Sequence, residues 1–284
     1  MAPFLLFIAK ALALLPLSWL RALGTGAGAA LYFCVPSLRR TVASNLAQAQ
    51  LNLSVRAVVQ ANLRGLADML WVWFNPQSAV AARCTAAQPQ VLEGLRAAGQ
   101  GLIVLTPHLG CFEVLGKWWA HEAPLTAMYR RPDKAWLAQF IEAARDTPQL
   151  HMATADAIGV RKLLKTLKNR QAICILPDQA PRVGEGIWVP WFGKLAYTIT
   201  LPAKLHLASG AALCVCAALP SPSGWTIHCQ PFEAPSGADA PALTQALNEA
   251  LERMVLQAPQ HYAWSYRRYK GAAPAAMPAP KLDP

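Results

Sequence analysis

The chain has 284 residues, of which 54% are hydrophobic and only 14% are charged. This length can bury one sizeable core with an added terminal element, and the low charge indicates contact with lipid. The 26 Lys and Arg against 15 Asp and Glu leave a formal net charge of +11, which favours anionic partners. We predict no nucleic-acid partner, because the basic residues alternate with apolar helices and no helix-turn-helix, zinc-finger or RRM signature occurs.

The amino-terminal 36 residues are predicted to form a membrane-associating helical segment. Residues 4–20 are apolar, but Lys10 and Pro16 interrupt them and Arg21 ends them. The run is shorter than the roughly 20 residues of a simple span, so we expect an interfacial anchor, shared with the apolar stretch 22–36. A cleaved signal peptide is the alternative, because 27–29 resembles a processing site. The uncharged start and Arg21 argue against that alternative.

Two helices are expected before the central motif, over residues 41–73 and 91–99. Arg39 and Arg40 precede the first and suit the cytoplasmic side of a membrane. The seven cysteines form no C-x-x-C pair, so we expect reduced thiols in a cytoplasm-facing fold rather than disulfides.

A strand, a turn and a helix follow one another over residues 101–120. His108 lies at the carboxyl end of the strand, and Glu113 follows five positions later. On one continuous helix the two side chains would stand roughly 140° apart. If Gly110 bends the chain sharply, Glu113 in the first helical turn reaches the imidazole. The pair is then a general base and its orienting group, although a structural histidine is the alternative from spacing alone.

The rest of the chain predicts a mostly parallel mixed sheet flanked by helices, an α/β fold. Strands are expected over 125–129 and 172–176, helices before Arg145 and over 160–167, and Asp178 follows a strand end. A strand pair over 211–219 and 225–232 and an amphipathic helix over 243–255 complete the domain. The Ala/Pro-rich residues 272–284 are predicted to be a disordered tail. The basic face of the helix over 160–170 is either a solvated surface or a docking face for an acidic carrier protein.

Several motifs, in order, resemble the glycerolipid acyltransferase superfamily. The segment His108–Glu113 is similar to its H-x-x-x-x-D/E signature, in the glutamate form of the lipid A biosynthesis late acyltransferases. The resemblance extends over roughly residues 35–271, with Cys111 and Tyr266 in place of a common Asn and His. The other matching residues are Arg39, Arg40, Asn45, Tyr129, Arg130, the segment 159–167, Asp178, Gln179, Gly186, Val189, Pro190, Phe192, Gly193 and the segment 264–270.

The resemblance implies a glycerolipid-acyltransferase-like domain over residues 37–271. It implies transfer of a fatty acyl group from acyl carrier protein to a hydroxyl of a membrane lipid, with a lipid A precursor as the expected acceptor, without metal or cofactor. His108 would be the base and Glu113 its partner. The substrate-binding residues would be Gly110, Arg130, Arg145, Asp178, Gly186, Trp188 and Phe192, the aromatic ones lining an acyl slot or filling the edge of the core.

The implied location is the bacterial inner membrane, with the active site facing the cytoplasm and an anionic membrane surface. Other lipid acceptors stay open, including lysophospholipids, ornithine lipids and glycolipids. Two further alternatives are a non-catalytic lipid-binding protein and a metal-dependent hydrolase that uses His108, Cys111 and Glu113 as ligands.

Overall fold

The computed structural model describes residues 2–145 and 147–270. The helices are α1 Ala2–Ala13, α2 Leu17–Cys34, α3 Pro36–Gln48, α4 Val55–Phe74, α5 Gln77–Ala81, α6 Pro89–Ala97, α7 Phe112–Glu122, α8 Ala135–Arg145, α9 Ala157–Lys168, α10 Leu201–Ser209 and α11 Ala240–Val255. The strands are β1 Cys84–Ala86, β2 Leu102–Leu105, β3 Leu125–Tyr129, β4 Leu150–Thr154, β5 Ala172–Ile175, β6 Gly186–Trp191, β7 Lys194–Ile199, β8 Ala212–Pro220 and β9 Trp225–Phe232.

Seven strands form one mixed sheet in the order β1-β9-β8-β2-β5-β3-β4. The five strands from β8 to β4 are parallel to one another, while β9 pairs antiparallel to β8 and β1 runs parallel to β9. The predicted mostly parallel sheet flanked by helices is therefore confirmed. Strands β6 and β7 form a separate antiparallel hairpin.

Apolar side chains on both faces of the sheet explain why its central strands are continuous hydrophobic runs. In β2, Ile103 and Leu105 join a core packed under α9, α10 and α11. The alternate residues Leu102 and Val104 join a second core, packed under α2, α5, α6 and α7. Because successive side chains in a strand point to opposite faces of the sheet, the four residues of β2 contribute to two hydrophobic cores.

Helix α2 packs directly on α4 because glycines allow a close approach of the two backbones. A Cβ atom at Gly24 would lie 2.7 Å from the Leu63 carbonyl oxygen, and one at Gly28 would lie 2.6 Å from the Gln60 Cα. Arg21, on the same helix, is buried against Asp68, with Nε donating to Oδ1 at 2.6 Å and Nη2 to Oδ2 at 2.9 Å.

The guanidinium of Arg21 also donates to the Ser221 and Gly224 carbonyl oxygens in the β8–β9 turn. The arginine that ends the apolar run in the sequence therefore joins α2 to the β8–β9 turn of the sheet. None of the helices in the described part of the chain is both long and apolar enough to cross a bilayer. On its outer surface α2 exposes Trp19 and Leu23.

Some predicted boundaries differ from the structure. The helix predicted over 41–73 is two helices, because the chain turns at residues 49–54, where Gln50 takes a positive φ of 54° and Ser54 caps α4. Strands β1, β4, β6 and β7 and helices α5 and α10 had no prediction. The predicted strand pair β8–β9 and the helix α11 are present, whereas the tail predicted over 272–284 lies outside the described residues.

Candidate active site

The register between β2 and β5 brings His108 and Asp178 together. These strands are parallel neighbours, and Leu105 lies opposite Ile175. His108 and Asp178 each follow that pair of residues by three positions. Because the two strands end at the same edge of the sheet, equal offsets place the two side chains side by side.

Asp178 binds His108 through both carboxylate oxygens. The imidazole Nδ1 lies 2.7 Å from Oδ1, and the backbone N–H of His108 donates to Oδ2 at 2.9 Å. Asp178 is 1% exposed. Burial alone would raise the pKa of this carboxyl group, but the charge and hydrogen bonds of His108, with a smaller contribution from Arg268, outweigh it and lower the pKa.

An ionised Asp178 fixes the tautomer of His108. A carboxylate only accepts hydrogen bonds, so the imidazole must donate from Nδ1, and Nε2 is left with a free lone pair. The His108 side chain keeps 20% of its surface exposed, so part of the imidazole is open to a substrate. This is the arrangement of a general base held by a buried carboxylate.

The loop that holds His108 is fixed by its backbone. Gly110 has a positive φ of 61°, and a Cβ atom there would lie 2.5 Å from the Ala218 carbonyl oxygen, so only glycine fits. The Gly110 N–H donates to the His261 carbonyl at 3.0 Å, and the Ala263 N–H donates to the His108 carbonyl at 3.0 Å. The Gly110 N–H is therefore engaged in the fold and is not available to a substrate.

Glu113 binds Arg145 rather than His108. Nε of Arg145 donates to both oxygens of Glu113, at 3.1 and 3.0 Å, and Nη2 donates to Oε1. The hydrogen bond expected between Glu113 and His108 is not formed, and Asp178 takes that place. Glu113 lies in the first turn of α7, as predicted, but that turn faces the last turn of α8, and the β2–β5 register brings Asp178 to the imidazole instead.

An apolar cavity of about 270 Å³ reaches His108 from one side. Its wall includes one face of α4, where Gly65, Leu66 and Met69 lie at helical spacing. Leu66 is also 55% exposed, so the cavity opens at an apolar part of the protein surface. The remaining lining residues are Leu38, Val42, Val59, Asn62, Leu63, His108, Gly110, Phe112, His261, Ala263 and Ser265.

A second cavity, of about 290 Å³, reaches His108 from the other side and is more polar. Arg130 and Arg145 line it together with Tyr129, Gln179 and Glu185. Both cavities are lined by His108 and Phe112, whose rings meet edge to face with centroids 4.9 Å apart. The candidate base therefore stands where an apolar space and a cationic space meet.

Three residues expected to bind substrate lie instead in the β6–β7 hairpin, and they line neither cavity at His108. Gly186 has no room for a side chain, because a Cβ atom would lie 2.5 Å from the Thr198 carbonyl oxygen. Trp188 stacks on Tyr197, and Phe192 packs against Trp264. These contacts fit the alternative that the aromatic residues fill the edge of the core.

The three ligands of the metal-site alternative are engaged in different ways. Glu113 is paired with Arg145, and burial, with the charges of Asp68 and Glu113, raises the pKa of the Cys111 thiol well above its ordinary value. A thiol that resists ionisation is a poor metal ligand. Within residues 2–145 and 147–270, no group of three or more His, Cys, Asp or Glu side chains could hold a metal ion.

Two features of the site were missed in the sequence. The sequence predicts Asp178 at a strand end, but its pairing with His108 depends on the β2–β5 register. The available signal was that His108 and Asp178 each follow a buried strand. The pattern over 41–73 predicts only a helix, and the structure makes Gly65 and its neighbours a cavity wall.

The site combines a histidine held by a buried carboxylate with an apolar cavity and an arginine-lined cavity. The family model described as bacterial lipid A biosynthesis acyltransferase matches residues 2–271, so the chain belongs to this family. The lipid A biosynthesis lauroyltransferase of Escherichia coli strain K12 is 24% identical over 222 residues, covering 76% of this chain and 71% of the relative.

Two further relatives carry different names. The lipid A biosynthesis palmitoleoyltransferase of the same strain is 24% identical over 220 residues, covering 75% of this chain and 71% of the relative. A phosphatidylinositol mannoside acyltransferase of Mycobacterium tuberculosis strain CDC 1551 / Oshkosh is 24% identical over 172 residues, covering 59% of this chain and 54% of the relative. Acyl transfer to a lipid is thus the reaction class of the family, while the relatives differ in their named acceptors.

Proposed function

We propose that this protein transfers a fatty acyl group from an acyl thioester to a hydroxyl of a membrane lipid. The observation that supports this proposal best is the His108–Asp178 pair between an apolar and a cationic cavity. The thioester is proposed to be that of acyl carrier protein, and the acceptor a lipid A precursor. Lysophospholipids, ornithine lipids and other glycolipids are alternative acceptors.

His108 acts as the general base in this proposal. The acceptor oxygen attacks the thioester carbonyl carbon while its proton passes to Nε2 of His108, and a C–O bond forms. The tetrahedral intermediate then collapses, the C–S bond breaks, and the imidazolium returns the proton to the leaving thiolate. The products are an ester and a free thiol, and the atoms and electrons balance without a cofactor.

Asp178 stabilises the imidazolium that forms during this step, because its carboxylate is buried beside Nδ1. General-base help contributes about 10²–10⁴-fold, so positioning and charge stabilisation must supply the rest. The first turn of α7 is our candidate for the oxyanion donors. In that turn the Val114 N–H donates to the Cys111 carbonyl, so the candidate donor is the N–H of Phe112, the residue that begins the helix and lines both cavities.

The two cavities suit the two substrates. The apolar cavity matches a fatty chain, which gains about 25 cal/mol for each Å² removed from water. The cationic cavity matches the polar group of the acceptor, with Arg130 exposed at its edge and Arg145 in its wall. Glu113 is proposed to hold Arg145 there, because Nε and Nη2 are used by the carboxylate and Nη1 remains for a ligand oxygen.

The amino-terminal helices are proposed to lie on the anionic surface of the bacterial inner membrane. Exposed apolar side chains on α1 and α2, together with a net charge of +11, support an interfacial position facing the cytoplasm. The side chains concerned are Phe7 on α1, Trp19 and Leu23 on α2, and Leu14 between the two helices.

The test is mass spectrometry of membrane lipids from cells with the protein, without it, and with His108→Ala. A gained acyl mass would report both the transferred group and its recipient, and we expect His108→Ala to abolish the gain. A purified assay with acyl carrier protein thioester and lipid extract checks the same variant. Unchanged acyl transfer by His108→Ala would exclude the catalytic proposal, and lipid binding without transfer by the wild type would favour a binding protein.

A further inference from the structure

A groove lined by four cations lies apart from the active-site cavities. Arg40, Lys194, Arg267 and Lys270 all line it and are all exposed. The groove encloses about 820 Å³, and its other lining residues are Thr41, Ser44, Asn45, Ala47, Gln48 and Tyr269. Asp and Glu do not occur among these residues, so the positive charges meet without a carboxylate in the groove wall.

The fold accounts for the neighbouring motif residues but not for Arg40. Arg39 donates to the Tyr32 and Phe33 carbonyls, and Asn45 donates to the Trp264 and Tyr266 carbonyls. These two residues therefore join α3 to adjacent backbone. Arg40 is instead exposed and lines the groove.

The carboxyl-terminal segment shows the same division between a structural and an exposed arginine. Arg268 is buried and donates to the Tyr197 carbonyl and the Thr198 hydroxyl. Arg267, the preceding residue, faces the groove instead. Lys194 and Lys270 lie over the rings of Tyr269 and Tyr266, at 5.2 and 4.9 Å from the centroids, which keeps their ammonium groups at the groove.

Four like charges on one surface repel one another and are stabilised when an anionic partner binds. The groove is wide enough for side chains of a protein surface, and its cations come from three separate parts of the chain. This spread matches a partner with several distributed carboxylates better than a single phosphate.

Helix α3 and the carboxyl-terminal segment contribute to both the groove and the apolar cavity, so the two lie one helix diameter, roughly 10–12 Å, apart. Helix α3 gives Leu38 and Val42 to the cavity and Arg40 to the groove. The carboxyl-terminal segment gives Ser265 to the cavity and Arg267 to the groove. A partner in the groove is therefore placed to deliver an attached acyl chain into the cavity that reaches His108.

The cations in the last turn of α9 are less suited to this task. Helix α9 begins after the carboxyl end of β4 and ends before the amino end of β5, so it runs away from the edge that holds His108. Its 12 residues span about 18 Å. Lys165 and Lys168, in its last turn, are consequently remote from the active-site edge.

We propose that the groove of Arg40, Lys194, Arg267 and Lys270 docks the acidic surface of the acyl carrier protein that brings the donor. This inference rests on the proposed function, in which the acyl group arrives as a thioester. It assigns carrier recognition to α3 and the carboxyl-terminal segment rather than to α9.

The experiment compares two double charge reversals of equal size in the full chain. The test variant is Arg40→Glu with Arg267→Glu, and the control is Lys165→Glu with Lys168→Glu. Each is assayed with two donors, acyl carrier protein thioester and the small acyl-pantetheine thioester. We expect the test variant to raise KM for the carrier about tenfold, because attraction at two sites becomes repulsion. We expect no change in KM for acyl-pantetheine or for the acceptor lipid.

Three results would overturn the inference. Equal KM values for the carrier in wild type and test variant would show that the groove does not dock it. An increase for acyl-pantetheine or for the acceptor would indicate binding of a lipid phosphate instead. An equal increase in KM for the carrier in the α9 control would show that the change in net charge, and not the groove, causes the effect. If the wild type used neither donor, the proposed function itself would be wrong. Activity of the test variant with acyl-pantetheine shows that this variant is folded.

Discussion

The replacement Asp178→Asn tests the pairing on which the proposed chemistry depends. In the wild type, Oδ2 accepts from the His108 backbone N–H and Oδ1 faces Nδ1. An asparagine would keep its oxygen on the backbone N–H, so its NH₂ group would face Nδ1. The opposite orientation would bury two donors against each other, at a cost of about 1–3 kcal/mol. With the NH₂ group facing Nδ1, the imidazole would have to accept a hydrogen bond at Nδ1 and carry its proton on Nε2.

A proton on Nε2 removes the base, because that nitrogen is the one that must accept the proton of the hydroxyl. We expect kcat/KM to fall about 10²–10⁴-fold, the range for general-base catalysis. This corresponds to about 3–5 kcal/mol of transition-state stabilisation. The kinetic assay is acyl transfer from the thioester, with circular dichroism to check the fold. Nitrogen NMR of labelled histidine reports the tautomer directly, with the proton moving from Nδ1 to Nε2.

Glu113→Gln is the matched control for this experiment. It removes the same kind of charge from a carboxylate near His108, but the structure pairs that carboxylate with Arg145. We expect it to weaken acceptor binding and to leave the tautomer of His108 unchanged. The reasoning is refuted if Asp178→Asn keeps both the Nδ1 proton and the wild-type rate, or if Glu113→Gln moves the proton.

Two further replacements test the cavity wall and the seating of α2. Gly65→Leu should reduce transfer of a dodecanoyl group about 10–100-fold and leave transfer of an acetyl group unchanged, because overpacking beside Gly110 closes the apolar cavity only to long chains. Gly65→Ala should behave as wild type, since its Cβ would lie 3.4 Å from the Gly110 carbonyl oxygen. Arg21→Leu should lower the free energy of unfolding by about 3–5 kcal/mol, measured by urea denaturation, because it leaves the buried charge of Asp68 without its partner.

Both experiments have controls on the surface. Gly94 in α6 has open space where a Cβ would be, so Gly94→Leu makes the same chemical change without touching the cavity. Equal loss of acetyl and dodecanoyl transfer by Gly65→Leu would contradict the cavity assignment. Arg161 on α9 is exposed, and Arg161→Leu should alter stability by less than about 0.5 kcal/mol. An equally small effect of Arg21→Leu would contradict the burial of that ion pair.

Local sequence determined most of the sheet and its flanking helices. The apolar runs of β2 and β5 are buried on both faces, so hydrophobicity alone located them. The pattern at Leu243, Leu247 and Leu251 located α11 for the same reason, because an amphipathic helix presents one apolar face to the core. Motif order was enough to indicate the family, which the match over residues 2–271 shows.

Only the tertiary structure decided which carboxylate pairs with His108 and which pairs with Arg145. In the sequence, Glu113 is five residues from His108 and Asp178 is 70 residues away, so proximity along the chain favoured Glu113. The β2–β5 register reverses this, because parallel strands bring distant strand ends together while the start of α7 directs Glu113 to Arg145. Hydrophobic patterning identifies elements from their own residues, whereas the partner of a polar side chain depends on how separate elements are aligned.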